Sequence, residues 1–222
     1  IKAPRRPWWV RTHTTRVDGN TMGARTVVDF SARLPIVRRL MAVIALAVIL
    51  AGGNSKRMGR KKSQIRMGCH TLLGHTRAAV VDAGLEPRVI AVDLQPGLGP
   101  LGGILTALQS TKHSRVLFVG CDMPFLSGEL IDTFLTGSAG GVGPMFTQHE
   151  KGVGFPFVLS CADLVLVEKQ IDRGVLSLQR LAKRLKARMW QPPEEREWEL
   201  FNINTPTDLA EARRQQKGRR ID

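Results

Sequence analysis

The sequence predicts an α/β fold of three layers built on a mostly parallel sheet, and three observations carry that prediction. Apolar runs rich in Val, Ile and Leu recur at 41–51, 88–92 and 116–119, the pattern of strands buried on both faces. Segments with helical spacing lie between and after them, and glycines or capping residues mark the junctions. Strands alternating with helices stack helices on both faces of the sheet and set ligand sites at the carboxyl ends of the strands. With 222 residues, 43% hydrophobic and 23% charged, the chain is long and apolar enough for one such core.

The elements follow in order. Residues 1–40 hold nine basic and two acidic residues, half of the net charge of +14, with Pro4, Pro7 and Pro35 and no sustained period. They read as a basic, poorly ordered extension ahead of a domain spanning 41–212, with a basic tail at 213–222. Met41 is a candidate natural start. The eleven apolar residues 41–51 are too few to span a bilayer and are followed by Lys56, Arg57, Arg60, Lys61 and Lys62, so they read as a buried strand, not a signal sequence. Leu72, Leu73, Ala79, Val80 and Ala83 predict a helix closed by Gly84, followed by the strand at 88–92. Ile104, Leu105, Ala107 and Leu108 mark the next helix, and 116–119 the next strand. Ser127 is suited to cap a helix carrying Leu130, Ile131, Phe134 and Leu135. A strand at 154–159, a helix at 162–170 and a helix through Val175, Leu178, Leu181 and Leu185 come next. A last strand at 200–203 leads into Thr205, Pro206 and Asp208, a capping threonine, a first-turn proline and a carboxylate three residues on.

Composition narrows the function. Cys69, Cys121 and Cys161 show no paired spacing, which argues against a disulfide framework or a zinc site and fits a reducing, cytoplasmic setting. The positive charge calls for an anionic partner. His70, His75, His113 and His149 lack metal-ligand spacing and read as surface or structural residues, and Cys121 as buried packing.

The chemistry is expected just after each buried strand. The first such place is Leu50, Ala51, Gly52 and Gly53, then Asn54, Ser55, Lys56, Arg57, Met58 and Gly59. Glycines after a strand let backbone N–H groups approach a polyphosphate, and Lys56 and Arg57 can neutralise it. The loop matches neither the P-loop nor G-x-G-x-x-G, and taken alone it is equally compatible with a structural turn.

The pattern Leu-Ala-Gly-Gly-x-Ser-x-Arg-Met-Gly at 50–59, followed by Lys62, resembles the signature of the molybdenum cofactor guanylyltransferases, the MobA-like nucleotidyltransferases. So do Pro-Gly-Leu-Gly-Pro-Leu-Gly-Gly at 96–103, Gly-Cys-Asp-Met-Pro at 120–124 and Phe-Asn-Ile-Asn-Thr-Pro at 201–206, all in the family's order. The resemblance covers roughly 41–212. It implies a Rossmann-like nucleotidyltransferase fold and transfer of GMP from GTP to the terminal phosphate of molybdopterin or Mo-molybdopterin, with release of pyrophosphate. Molybdoenzyme apoproteins or their chaperones are implied as further partners; membrane and nucleic acid are not expected. The Leu-Ala-Gly-Gly form favours GTP, leaving as alternatives a relative using CTP or another phosphorylated acceptor, or a catalytically impaired nucleotide-binding relative.

The same resemblance assigns Lys62 to the phosphates, Arg57 to the β- and γ-phosphates, and Asp93 to the nucleotide. Leu50, Ala51, Gly52, Gly53 and Gly102, in the loop at 97–103, are nucleotide-binding candidates. Asp122, after a buried strand, suits a Mg²⁺ ligand, because Mg²⁺ takes one or two protein carboxylates plus phosphate oxygens; its alternative is a turn-capping carboxylate. Asn202 and Asn204, on alternate positions, are expected to share a face for the second substrate or the metal shell. The family pattern has two strands between Gly84 and Pro96. This chain has room for one, so a lost strand or a rearranged sheet is expected.

Overall fold

A computed structural model describes residues 46–52, 58–59, 61–91, 97–138, 141, 143–149 and 152–218. The expected extension at 1–40, Met41, and the candidate site residues Gly53, Arg57 and Asp93 lie outside the described residues.

The strands are β1 (Leu46–Leu50), β2 (Arg66–Met67), β3 (His70–Thr71), β4 (Glu86–Ile90), β5 (Arg115–Gly120), β6 (Met145–His149), β7 (Gly152–Ser160) and β8 (Arg188–Trp190). The helices are α1 (Leu72–Asp82), α2 (Pro100–Ser110), α3 (Gly128–Ser138), α4 (Leu164–Asp172), α5 (Leu178–Arg184) and α6 (Pro206–Gly218). Six strands form the main sheet in the order β4-β1-β5-β7-β6-β8, and β2 and β3 form a separate small hairpin. Strands β4, β1, β5, β6 and β8 run in one direction and β7 against them.

Alternation along the central strands feeds two cores. Ala47 and Ile49 of β1 and Leu117 and Val119 of β5 face α1 and α3, with Val80, Leu130 and Phe134. Leu46, Val48, Val116 and Phe118 face the other way, onto Ile104 and Leu108 of α2, Val167 of α4 and Leu181 of α5. Both faces of β1 are thus covered, which is why its sequence is a continuous apolar run. A third cluster joins Ile65, Met67 and Leu72 to Ile203, Leu209 and Ala212. It matters for function, because it fastens the segment after the glycine loop to the segment preceding α6.

The termini of the helices follow their local chemistry. Thr71 Oγ1 accepts from the Gly74 N–H at the start of α1 (3.0 Å), and Gly84, with φ +71°, ends the turn after it. Ser127 Oγ accepts from Leu130 N (3.1 Å). Thr205 Oγ1 accepts from Asp208 N (3.1 Å) while Asp208 Oδ2 accepts from Thr205 N (2.8 Å), the reciprocal cap that the sequence predicts for α6.

Two expectations are revised. The strand predicted at 88–92 begins two residues earlier and forms the edge of the sheet. It pairs with β1 over its whole length, from Leu46↔Glu86 to Leu50↔Ile90. β4 is an edge strand of the main sheet, next to β1. Pro87, which has no N–H, and the exposed Glu86 and Arg88 suit that edge. The strand predicted at 200–203 is instead the end of a 3₁₀ turn (Glu194–Leu200) and an unpaired extended stretch. Its backbone is drawn to the Asp122 loop, not to a neighbouring strand. Strands β6 and β8 carry a weaker pattern than the buried runs and go unpredicted.

Candidate active site

The carboxyl ends of β1 and β5 are tied together by Cys121 N donating to Leu50 O (3.1 Å), and those of β1 and β4 by Ala51 N donating to Ile90 O (2.8 Å). This brings the start of the glycine loop beside the turn that follows β5, Cys121 and Asp122. Leu50 and Ala51 are half-buried there and Gly52 is exposed. Gly102 lies in the first turn of α2, buried, its N–H donating to Gly99 O (3.2 Å), on the helix that packs against β1.

Three of the predicted residues converge, from segments far apart in sequence. The Lys62 ammonium lies 3.0 Å from Asp122 Oδ2 and 2.6 Å from Asn204 Oδ1. Lys62 heads a short 3₁₀ turn (Lys62–Gln64), and Ile65, one residue past it, is anchored in the third core cluster beside Ile203. Ile203 N in turn donates to Asp122 O (2.9 Å), which holds the Asn202 to Asn204 stretch against the Asp122 loop. Asn202 donates its amide to Leu200 O (3.0 Å) and, with Asn204 and Asp122, lines a cleft of 780 Å³.

Other residues of the site give little sequence signal. Thr76, fully buried on α1, donates to Gly120 O (3.2 Å), bracing the strand end that carries Asp122. Glu199, 3% exposed, accepts from Ser127 N (3.2 Å), Ser127 Oγ (2.5 Å) and Arg196 Nε (2.6 Å). Arg196 Nη2 also donates to Ser127 Oγ (3.1 Å) and to Glu129 (3.0 Å). The network clamps the turn that leads into Asn202 onto the start of α3. The Arg196–Glu199 spacing is visible in sequence, but its partner Ser127 is seventy-two residues away.

Burial, and then the Asp122 carboxylate, push the Cys121 thiol up to about 12, so this cysteine is inert packing as expected. His149, expected as a surface or structural residue, is half-buried and lines the cleft, with Nε2 3.0 Å from Phe155 O. Burial lowers its pKa, and the Phe155 carbonyl and Glu197 oppose that shift.

No group of three or more His, Cys, Asp or Glu side chains is gathered as a metal cage among the described residues. The donors at the strand end are a carboxylate and amide oxygens, with an ammonium held between Asp122 and Asn204. Such an oxygen set fits a hard cation that shares its shell with phosphate and water. No helix of the described residues is long and apolar enough to cross a membrane.

A family model described as the MobA-like NTP transferase domain matches residues 47–190. The chain belongs to that family. It carries this nucleotidyltransferase domain and is an enzyme of that type. A molybdenum cofactor guanylyltransferase of Syntrophotalea carbinolica is 32% identical over 202 residues, spanning 78% of this chain and 92% of that protein. The fold is shared with molybdopterin-guanine dinucleotide biosynthesis protein A of Archaeoglobus fulgidus, with a TM-score of 0.63, 21% identity and 78% and 98% of the two chains covered. It is shared also with 2-C-methyl-D-erythritol 4-phosphate cytidylyltransferase of Thermus thermophilus, with a TM-score of 0.57, 18% identity and 78% and 98% coverage.

Proposed function

We propose that this enzyme transfers GMP from GTP to the terminal phosphate of molybdopterin or Mo-molybdopterin, with Mg²⁺ held by Asp122. The observation that carries the reading is the meeting of Lys62, Asp122 and Asn204 at the carboxyl end of β5, beside the start of the glycine loop. Three family-motif positions that share no local reason to touch are within hydrogen-bond distance.

In the proposed reaction an oxygen of the acceptor phosphate attacks the α-phosphorus of GTP, and the bond to the β-phosphate oxygen breaks with pyrophosphate leaving. Such a displacement needs positioning and charge neutralisation more than a protein nucleophile. The loop from Leu50 receives the triphosphate, with Arg57 and Asp93 as family-implied contacts. Lys62 has the reach and charge to hold a phosphate oxygen in place of the carboxylate it touches in the free enzyme. Asn202 and Asn204 face the acceptor across the cleft. Mg²⁺, when bound by Asp122 with an amide oxygen of Asn204, neutralises phosphate charge. Molybdoenzyme apoproteins or their chaperones would receive the product.

The test incubates the protein with molybdopterin, Mg²⁺ and each of the four NTPs, reading pyrophosphate. Release with GTP and molybdopterin together, absent without either or with EDTA, is the expected result. Preference for CTP would replace the guanylyl reading with the cytidylyl one, which the fold shared with a cytidylyltransferase makes the second reading. Equal release from all four nucleotides would overturn both.

A further inference from the structure

The surface of α4 and α5 carries charge that the fold does not answer. Residues 173–193 contain six Lys or Arg and no Asp or Glu. Arg188 is held by backbone carbonyls at the end of α3. The others are Arg173, Arg180, Lys183 and Lys186, all exposed, and Arg184, which is half-buried; Lys169 of α4 is exposed as well. Apart from Arg188, none of these side chains forms a hydrogen bond or an ion pair with another described residue. By contrast Arg196 meets Glu129 and Glu199, and Arg214 meets Glu211. Of the two carboxylates on α4, Glu168 accepts from Gln109 (3.1 Å), and Asp172 alone is left to offset the cations.

The arrangement follows from the period of α5. Leu178, Leu181 and Ala182, with Leu185 just past the helix, pack into the second core. That stripe turns Arg180, Lys183 and Arg184, at i, i+3 and i+4, to the opposite side, one helical turn apart. Leu178, the first residue of α5, lines the cleft, so the cationic face begins at the cleft's rim.

The chemistry of the face selects its partner. A helix that lies on a membrane spends an apolar stripe on lipid, whereas the stripe of α5 is committed to the core and the exposed large apolar side chains of 164–188 are Val165 and Leu176. Single-stranded nucleic acid is held by aromatic side chains on which bases stack, and 164–188 contains none. Cations one turn apart, with an isolated leucine near the cleft end, fit a helix bearing carboxylates at the same spacing. We propose that Arg180, Lys183 and Arg184, together with Lys169, Arg173 and Lys186, dock an acidic helix of a protein partner beside the mouth of the cleft. This surface does not depend on which nucleotide or acceptor the enzyme uses. Its contacts form in water, so the association is salt-sensitive and each pair adds little alone.

The test follows the fluorescence anisotropy of a labelled helical peptide of about 20 residues, with glutamates at i, i+3 and i+4 along one face, added to the full chain. Binding that weakens with salt is expected, and a peptide of the same composition in scrambled order should bind more weakly. Arg180→Gln/Lys183→Gln/Arg184→Gln should weaken the ordered peptide about tenfold. Arg180→Lys/Arg184→Lys, which keeps the charge, should keep the affinity. Arg66→Gln/Arg77→Gln/Lys217→Gln removes the same charge from exposed positions elsewhere and should change affinity by less than about twofold. Both triple variants should melt within about 2 °C of the wild-type chain. No binding of the ordered peptide, equal binding of the scrambled one, or equal weakening by the two triple variants would overturn the proposal. So would tighter binding, dependent on Arg180, Lys183 and Arg184, of oligothymidylate or of phosphatidylserine vesicles, which would assign the face to nucleic acid or to lipid.

Discussion

Gly120 offers a perturbation that separates site geometry from fold stability. It is the last residue of β5, and a Cβ built on it would lie 2.7 Å from Asp122 Oδ1, 3.4 Å from Phe155 Cδ2 and 3.7 Å from Met123 Cγ. The latter two are ordinary contacts, so only the carboxylate must move, by about 0.7 Å to reach contact distance. The Asp122 side chain is 19% exposed and rotatable, so it can yield without shifting the strand. Gly120→Ala should therefore cost about 1 kcal/mol, at the low end for added core volume. For a domain of this size that is a fall of roughly 2 to 4 °C in Tm. The rate should suffer far more, because a misplacement approaching 1 Å in a positioned group can cost about 10²-fold. Pyrophosphate release across a Mg²⁺ titration, beside a melting curve, makes the comparison. The expected result is a kcat about a hundredfold lower and a higher Mg²⁺ requirement, with Tm nearly kept. An unchanged rate and Mg²⁺ dependence would refute the role given to Asp122. A collapse of Tm by more than about 10 °C would refute the packing argument.

Lys62→Met should lower kcat by about 10² to 10³, as for removal of a charge-stabilising donor. It should change stability by less than about 1 kcal/mol, because both partners of its ion pair are partly hydrated; a Tm loss matching the activity loss would make Lys62 structural. Glu199→Ala leaves Arg196 and the Ser127 donors without their buried acceptor. Because Arg196 keeps Glu129, the loss should be about 2 to 3 kcal/mol in denaturant unfolding, and a neutral effect would show that the clamp is idle. With Cys121 raised to about 12 in the folded state, thiol alkylation at pH 8 should modify the exposed Cys69 well before Cys121. Since the unfolded thiol ionises near 9, Cys121 should also take stability away as pH rises from about 9 to about 12, and Cys121→Ala should remove that part of the slope. An unaltered slope would dismiss it.

The features readable along the chain are those written in local chemistry. β1 and β5 are legible because strands covered on both faces are apolar at nearly every position; β1 occupies 46–50 of the run at 41–51, and β5 extends the run at 116–119 by Arg115 and Gly120. The Thr205–Asp208 cap is legible because its partners lie within one turn. Motif residues such as Asp122 and Lys62 are recognisable by type and order.

How those parts meet is set by contacts between distant segments. The stretch from Leu200 to Ile203 alternates like a strand, yet Ile203 N is taken by the Asp122 carbonyl. That hydrogen bond, with the burial of Ile203 against Ile65, brings Asn204 to Lys62. His149 shows no ligand spacing along the chain and becomes a cleft residue because the β6–β7 hairpin outruns β5. The Ser127–Glu199 contact and the position of β4 as an edge likewise come from pairings between distant segments. Such pairings depend on which surfaces are left to bury once the local elements have formed, and no short-range pattern of residue types records that choice.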